Sequence, residues 1–256
     1  MNPENILVPF HVSDLPPAPW VVFAPHADDE TFGMGGALRL AALQGMATHV
    51  IVLTDGALGG ATNPDDQQAL VAQRKTEVQQ ACDVLGVSSV QTWDHADRGL
   101  KMDDAVVEQI AGALIDLQAA TVFFPGVLEL HPDHRVTAQL VWAAVQRLQL
   151  RAWRGHLPEV WSYEISVQSP VNRLIDITST IKAKQQAMAV YASQNSQNNY
   201  PELILALNKA RTFSMSAEVK YVESFNRYDP GMLTESLEAL TQQAVARYFE
   251  RGQTKP

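Results

Sequence analysis

Four short apolar runs, Trp20–Ala24, His49–Leu53, Ser89–Trp93 and Thr121–Phe124, alternate with longer stretches whose apolar residues recur three and four apart. The runs are rich in Val, Ile, Phe and Trp and have the length of buried strands. The stretches 35–44, 65–85 and 103–118 have the length and period of helices. Gly45 and Gly86 fall where helices close in a left-handed cap. Strands alternating with helices are the mark of βαβ units, which wind a parallel sheet between helical layers. The expected fold is therefore α/β, a Rossmann-like single domain with a mostly parallel sheet flanked by helices.

The second half is less regular. A helix is expected over Val136–Leu150, strands over Val160–Val167 and Asn172–Ile177, and helices over Ser179–Ser193, Pro201–Met215 and Glu235–Phe249. The proline-rich segment 1–19 reads as an extension, and 20–256 as one domain, since no repeat or linker divides it. A single α/β domain accommodates 256 residues. The net charge of −9 and the lack of a basic stripe argue against nucleic acid as a partner. Cys82 is the single cysteine, so neither a disulfide framework nor a cysteine zinc site is available. Segment 1–19 lacks a basic start followed by an apolar core, and no stretch reaches the ~20 apolar residues of a membrane span. A reducing cytoplasm is the expected setting.

Each predicted strand ends in polar residues. Pro25-His26-Ala27-Asp28-Asp29-Glu30 follows the first, Thr54-Asp55-Gly56 the second, Asp94–Arg98 the third, and His131-Pro132-Asp133-His134 the fourth. Parallel sheets collect ligands beyond the carboxyl ends of their strands, where strand order reverses. Zinc takes imidazole nitrogen and carboxylate oxygen, and a catalytic site uses three protein ligands. His26 and Asp29, three apart on a turn, can meet His134 at one point. Asp28 is then left to accept a proton from water, and His131 to polarise a carbonyl or donate a proton. A plainer reading stands beside this one: the acids cap the next helix, and His131-Pro132 opens another. Two such clusters at one sheet rim favour metal-assisted hydrolysis. Gly33, Gly35 and Gly36 do not complete a dinucleotide fingerprint, and are expected to pack a helix tightly on the sheet.

The same residues resemble the LmbE-like, or PIG-L, family of zinc-dependent de-N-acetylases. His26-Ala27-Asp28-Asp29-Glu30 is similar to its His-Pro-Asp-Asp-Glu motif with alanine for proline, and His131-Pro132-Asp133-His134 repeats its second motif intact. Weaker echoes follow in order: Thr54-Asp55-Gly56, Arg74 to Glu77, Leu85-Gly86-Val87, Asp97 to Leu100, Tyr191 to Gln194 and Glu223 to Phe225.

The resemblance implies zinc on His26, Asp29 and His134, with Asp28 as general base. It implies His131 as oxyanion partner or acid, Asp133 as its orienting or charge-tuning neighbour, and Arg74 and Asp97 as contacts to sugar hydroxyls. The implied activity is hydrolysis of the N-acetyl group of an N-acetylglucosamine-type sugar or conjugate, a small-molecule substrate. Fe²⁺ and Co²⁺ stay open, because N/O donor sets rank divalent metals alike. Another N-acyl or carbonyl substrate, or a non-catalytic binding domain, are the alternatives. A homo-oligomer is also left open.

Overall fold

The computed structural model describes residues 4–60, 63–151 and 156–250. A short α1 (Glu4–Leu7) precedes β1 (Trp20–Ala24), α2 (Asp29–Leu43), β2 (Thr48–Thr54), α3 (Pro64–Leu85), β3 (Ser89–His95), α4 (Asp104–Asp116), β4 (Thr121–Pro125) and α5 (Pro132–Leu150). The second half adds β5 (Glu159–Tyr163), β6 (Arg173–Asp176), α6 (Ile181–Val190), α7 (Ala192–Asn195), α8 (Tyr200–Ala210), β7 (Val222–Tyr228) and α9 (Leu237–Ala246).

The strands form one sheet in the order β3-β2-β1-β4-β5-β7-β6. Strands β1 to β5 run parallel, and β7 is antiparallel to both β5 and β6. From β1 the chain winds outward through β2 to β3, then returns to place β4 on the other side of β1. The order thus reverses between β1 and β4, and both polar motifs follow those two strands.

Side-chain alternation along β1 divides the core. Trp20, Val22 and Ala24 face α2, α3 and α6, while Val21 and Phe23 face α4, α5 and α9. All five are fully buried, as a central strand covered on both sides requires. Each large apolar side chain so buried contributes about 1.5–3 kcal/mol.

Three elements depart from expectation. Helix α2 begins at Asp29, six residues before the expected start, and breaks at Met34 (φ −145°, ψ 23°). Around the break a Cβ on Gly33 would lie 2.3 Å from the Tyr163 ring, and one on Gly36 would lie 2.6 Å from Ile177. These glycines let the helix approach its neighbours closely, the packing role expected of them. Strand β7 was not expected at all. Its Val-Glu-Ser-Phe start is buried although two of the four residues are polar, because Glu223 accepts from Gly36 N (2.8 Å) and Ala37 N (2.7 Å) at the break in α2. The helix expected over 179–193 also divides at Tyr191 into α6 and α7.

Candidate metal centre

Residues after β1 enter a tight turn before α2. Asp28 adopts φ 150° and ψ −28°, a backbone that side-chain-bearing residues rarely hold without support. Support comes from both sides: its N–H donates to Glu30 Oε2 (3.2 Å), and its carbonyl accepts from Thr31 N (3.0 Å) and Phe32 N (2.8 Å). Glu30 is itself buried and bonded to the Tyr191 and Thr31 hydroxyls. Although Asp28 occupies the N-cap position, its carboxylate makes no capping bond. That carboxylate instead meets Arg74 Nη2 at 3.3 Å.

The turn brings Asp29 between two imidazoles from different motifs. Asp29 Oδ2 lies 3.1 Å from His26 Nδ1 and 3.2 Å from His134 Nε2. Donors bound to one ion at about 2.0–2.2 Å in tetrahedral array lie about 3.4 Å apart, close to these two separations, which are also those of ion pairs.

The far side of each ring fits too. His26 Nε2 is 3.3 Å from Asp133 Oδ2 and 3.4 Å from Asp97 Oδ1. His134 Nδ1 makes no hydrogen bond and points toward Glu129 Oε2 at 3.8 Å. Histidines that bind metals commonly turn their second nitrogen to a carboxylate, which sets the tautomer and ring orientation. His131 also stands near: ring nitrogens of His26, His131 and His134 converge within 4.8 Å, and an overlapping group joins His26, Asp97, His131 and Asp133.

Charge follows from this crowding. Burial alone would lower the His134 pKa, but Asp29 reverses that and raises it to about 9. His26 is likewise raised, against its burial, by Asp133, Asp29 and Asp97. Burial opposes ionisation of Asp29, yet His134 and His26 hold it far below the carboxylate range. Burial pushes Asp28 up to about 7, with Arg74 pulling the other way. His131 is lowered to about 4 by burial and by the neighbouring His26 and His134. It is therefore neutral at pH 7. Its Nδ1 accepts from Asp133 N (3.2 Å), so the proton sits on Nε2 as a free donor.

All eight residues singled out in the sequence gather here, but three make unexpected contacts. The Asp133 carboxylate bonds His26 Nε2 and the Arg98 N–H (2.7 Å) while also pulling the His131 pKa up against burial. Arg74 is buried, donating to Ala27 O (3.1 Å) and Gly56 O (3.4 Å) besides Asp28. A Cβ on Gly56 or Gly59 would press to 2.8 or 2.6 Å from its guanidinium. Asp97 accepts from Leu58 N (3.0 Å) and, despite partial burial, is lowered to about 2 by His26. Both Arg74 and Asp97 line the cleft above the cluster.

Glu129 was missed. It is buried and accepts from Ile165 N (2.8 Å), Ser166 N (3.0 Å) and the Ser166 hydroxyl. Its only sequence signal is an acid standing alone in the apolar stretch Val127-Leu128-Glu129-Leu130.

Residues 21–145 match the PIG-L family, described as GlcNAc-PI de-N-acetylase. Over 137 residues the chain is 30% identical to the "Probable N-acetyl-alpha-D-glucosaminyl L-malate deacetylase 2" of Bacillus cereus, covering 50% of this chain and 60% of that one. Over 180 residues it is 28% identical to the diacetylchitobiose deacetylase of Thermococcus kodakarensis, covering 66% and 67%. The chain thus spans about three-fifths to two-thirds of the length of these relatives. The crystal structure of a conserved protein from Thermus thermophilus superposes with a TM-score of 0.72 at 27% identity, over 82% of this chain and 94% of the other.

Proposed function

We propose that this chain, whose residues 21–145 match the PIG-L family, is a zinc-dependent deacetylase of an N-acetylglucosamine-type sugar or conjugate. One observation carries the reading: Asp29 Oδ2 stands 3.1 and 3.2 Å from two imidazole nitrogens, with a carboxylate free of capping at the preceding residue. Donors of that kind and spacing suit zinc. His26, Asp29 and His134 hold the ion in this reading. A divalent ion there supplies Lewis acidity, lowering the pKa of a water and polarising the amide carbonyl.

The chain's own residues do the rest. Asp28 accepts a proton from the water attacking the acetyl carbon. Arg74 keeps part of its carboxylate charge in place. His131, with its proton on Nε2, donates to the oxygen that gains charge as the carbonyl becomes tetrahedral. When the C–N bond breaks, the nitrogen takes up the proton held by Asp28, and acetate and a free amine leave. Asp133 and Asp97 hold the His26 ring; Asp97 also stands at the cleft for sugar hydroxyls.

Residues 20–256 form the functional domain in this reading, with 4–19 laid along it through Ser13 N to Leu174 O (2.7 Å) and the Thr121 hydroxyl to Pro17 O (2.7 Å). A reducing cytoplasmic setting belongs to the proposal and rests on Cys82 as a lone buried thiol. No helix among the described residues is long and apolar enough to cross a membrane.

The test is metal content by mass spectrometry on wild type and His134→Ala, with amine release from N-acetylglucosamine conjugates measured on the same samples. About one zinc per chain, lost in the variant together with activity, is expected. No metal in wild type after zinc is supplied would overturn the reading.

A further inference from the structure

The cleft over the donor cluster has a wall that the proposed chemistry leaves unused. Its volume is about 1150 Å³, above the roughly 300–1,000 Å³ usual for small-molecule sites. Ser166, Gln168, Gln194 and Asn198 line it with the polar groups that suit sugar hydroxyls.

The rest of the lining is of a different character. Along α8, Tyr200, Leu203, Leu207 and Ala210 recur three and four apart and face the cavity. The buried Asn208, bonded to Lys184 Nζ at 2.9 Å, anchors the helix. Leu203 is 51% exposed, and Leu130, which also lines the cleft, is 73% exposed. Large apolar side chains left in water within a concave site mark an apolar partner. Because this wall shares one cavity with His26, Asp29 and His134, its occupant is contiguous with the bond being cut. A separate protein seated there would cover the reacting atoms.

Charge agrees. Among the described cavity-lining residues the arginines are Arg74, tied to Asp28, and Arg98, and the raised His26 and His134 belong to the donor cluster and not to α8. Arg98 follows β3 at one edge of the sheet, whereas α8 packs on β7, α2 and α6 toward the other. No lysine or arginine of α8 lines the cavity, so an anionic second moiety lying there would meet no countercharge from the cavity-facing residues of that helix. The relatives' own names give polar second moieties, malate or another sugar. Helix α8 also lies beyond the residues that match the family.

We infer that the second moiety of this chain's N-acetyl sugar substrate is an apolar alkyl or aryl aglycone laid along α8 beside Leu203 and Leu207. This rests on the deacetylase reading and specifies its substrate class.

The experiment measures kcat/KM for amine release from methyl, butyl, hexyl and octyl glycosides of N-acetylglucosamine, each below its micellar concentration. Burying a methylene is worth up to about fourfold. The series should climb about two- to fourfold per methylene, chiefly through KM, until the wall is covered. In Leu203→Gln/Leu207→Gln the octyl-to-methyl ratio should fall to within about threefold, read as a ratio inside one protein so that general loss of activity cancels. A flat series in wild type, or a ratio unchanged by the double substitution, would overturn the inference and leave the deacetylase reading standing. Equilibrium dialysis of the octyl glycoside separates the other failure. Binding that weakens in the double variant, with no amine released from any glycoside, would overturn the deacetylase reading and leave the apolar site.

Discussion

Asp28 and Glu129 decide how the cluster works, and neither role is visible in a residue's type. Asp28 is held in a strained turn, its carboxyl raised by burial and restrained by Arg74. With Arg74→Met the restraint goes, the carboxyl keeps its proton to higher pH, and the acid limb of kcat/KM should move up by about one unit or more. A pH–rate series on variant and wild type checks this. An unmoved limb with a raised KM would assign Arg74 to the sugar instead. Glu129 is the acid that the free Nδ1 of His134 points toward. Glu129→Gln should weaken zinc affinity about 10- to 100-fold, the usual effect of losing such a partner; competition with a chromophoric chelator measures it. The ligand candidates were legible because His-x-Asp-Asp and His-Pro-Asp-His are short and local. Glu129 was not, since its bonding partners at 165–167 are brought to it by the fold.

At the scale of elements, the break in α2 lies five residues beyond Asp29 and is held by a buried ion pair. Interrupting the helix at Met34 leaves Gly36 and Ala37 N–H without helical acceptors and frees the Phe32 carbonyl. Glu223 on β7 takes both N–H groups, while Lys184 on α6 donates to Phe32 O (2.8 Å) and to Glu223 Oε1 (2.6 Å). Both side chains are fully buried. Removing one partner of such a pair strands the other charge, so Lys184→Met should lower the unfolding free energy by about 3–5 kcal/mol. Urea unfolding reads this directly; a loss under about 1 kcal/mol would mean that the pair does not support the break. The early strands and helices were legible from period and length. Strand β7 was hidden, because the buried charge that makes it a core strand looks like a surface residue in sequence.

For the whole molecule, the cluster joins the loops after β1, β3 and β4, and Glu129 ties the loop after β5 to it. A metal held there binds the native chain and not the unfolded one. At a free concentration ~1,000 times Kd it would add about 4 kcal/mol, and a chain of this size shifts by roughly 2–4 °C per kcal/mol. Chelation should thus lower Tm by roughly 10 °C, followed by calorimetry, while the far-ultraviolet circular dichroism stays unchanged. A Tm insensitive to chelator and to restored zinc would place any bound metal outside the folded centre.

The sequence by itself determined the winding of the first four strands, the edge at which their loops meet, and the short motifs offering nitrogen and oxygen donors. Those are properties of periodicity and of neighbours within a few residues. The tertiary structure decided what no local pattern contains. It turned the Asp133 carboxylate to His26, sank Arg74 against Asp28, bound Glu129 to the backbone at Ile165 and Ser166, and splinted α2 with Lys184 and Glu223. The physical reason is common to all four. A buried charge must find its partner wherever the chain folds back, and that partner here lies 46 residues away for Arg74, 107 for His26 and 39 for Lys184.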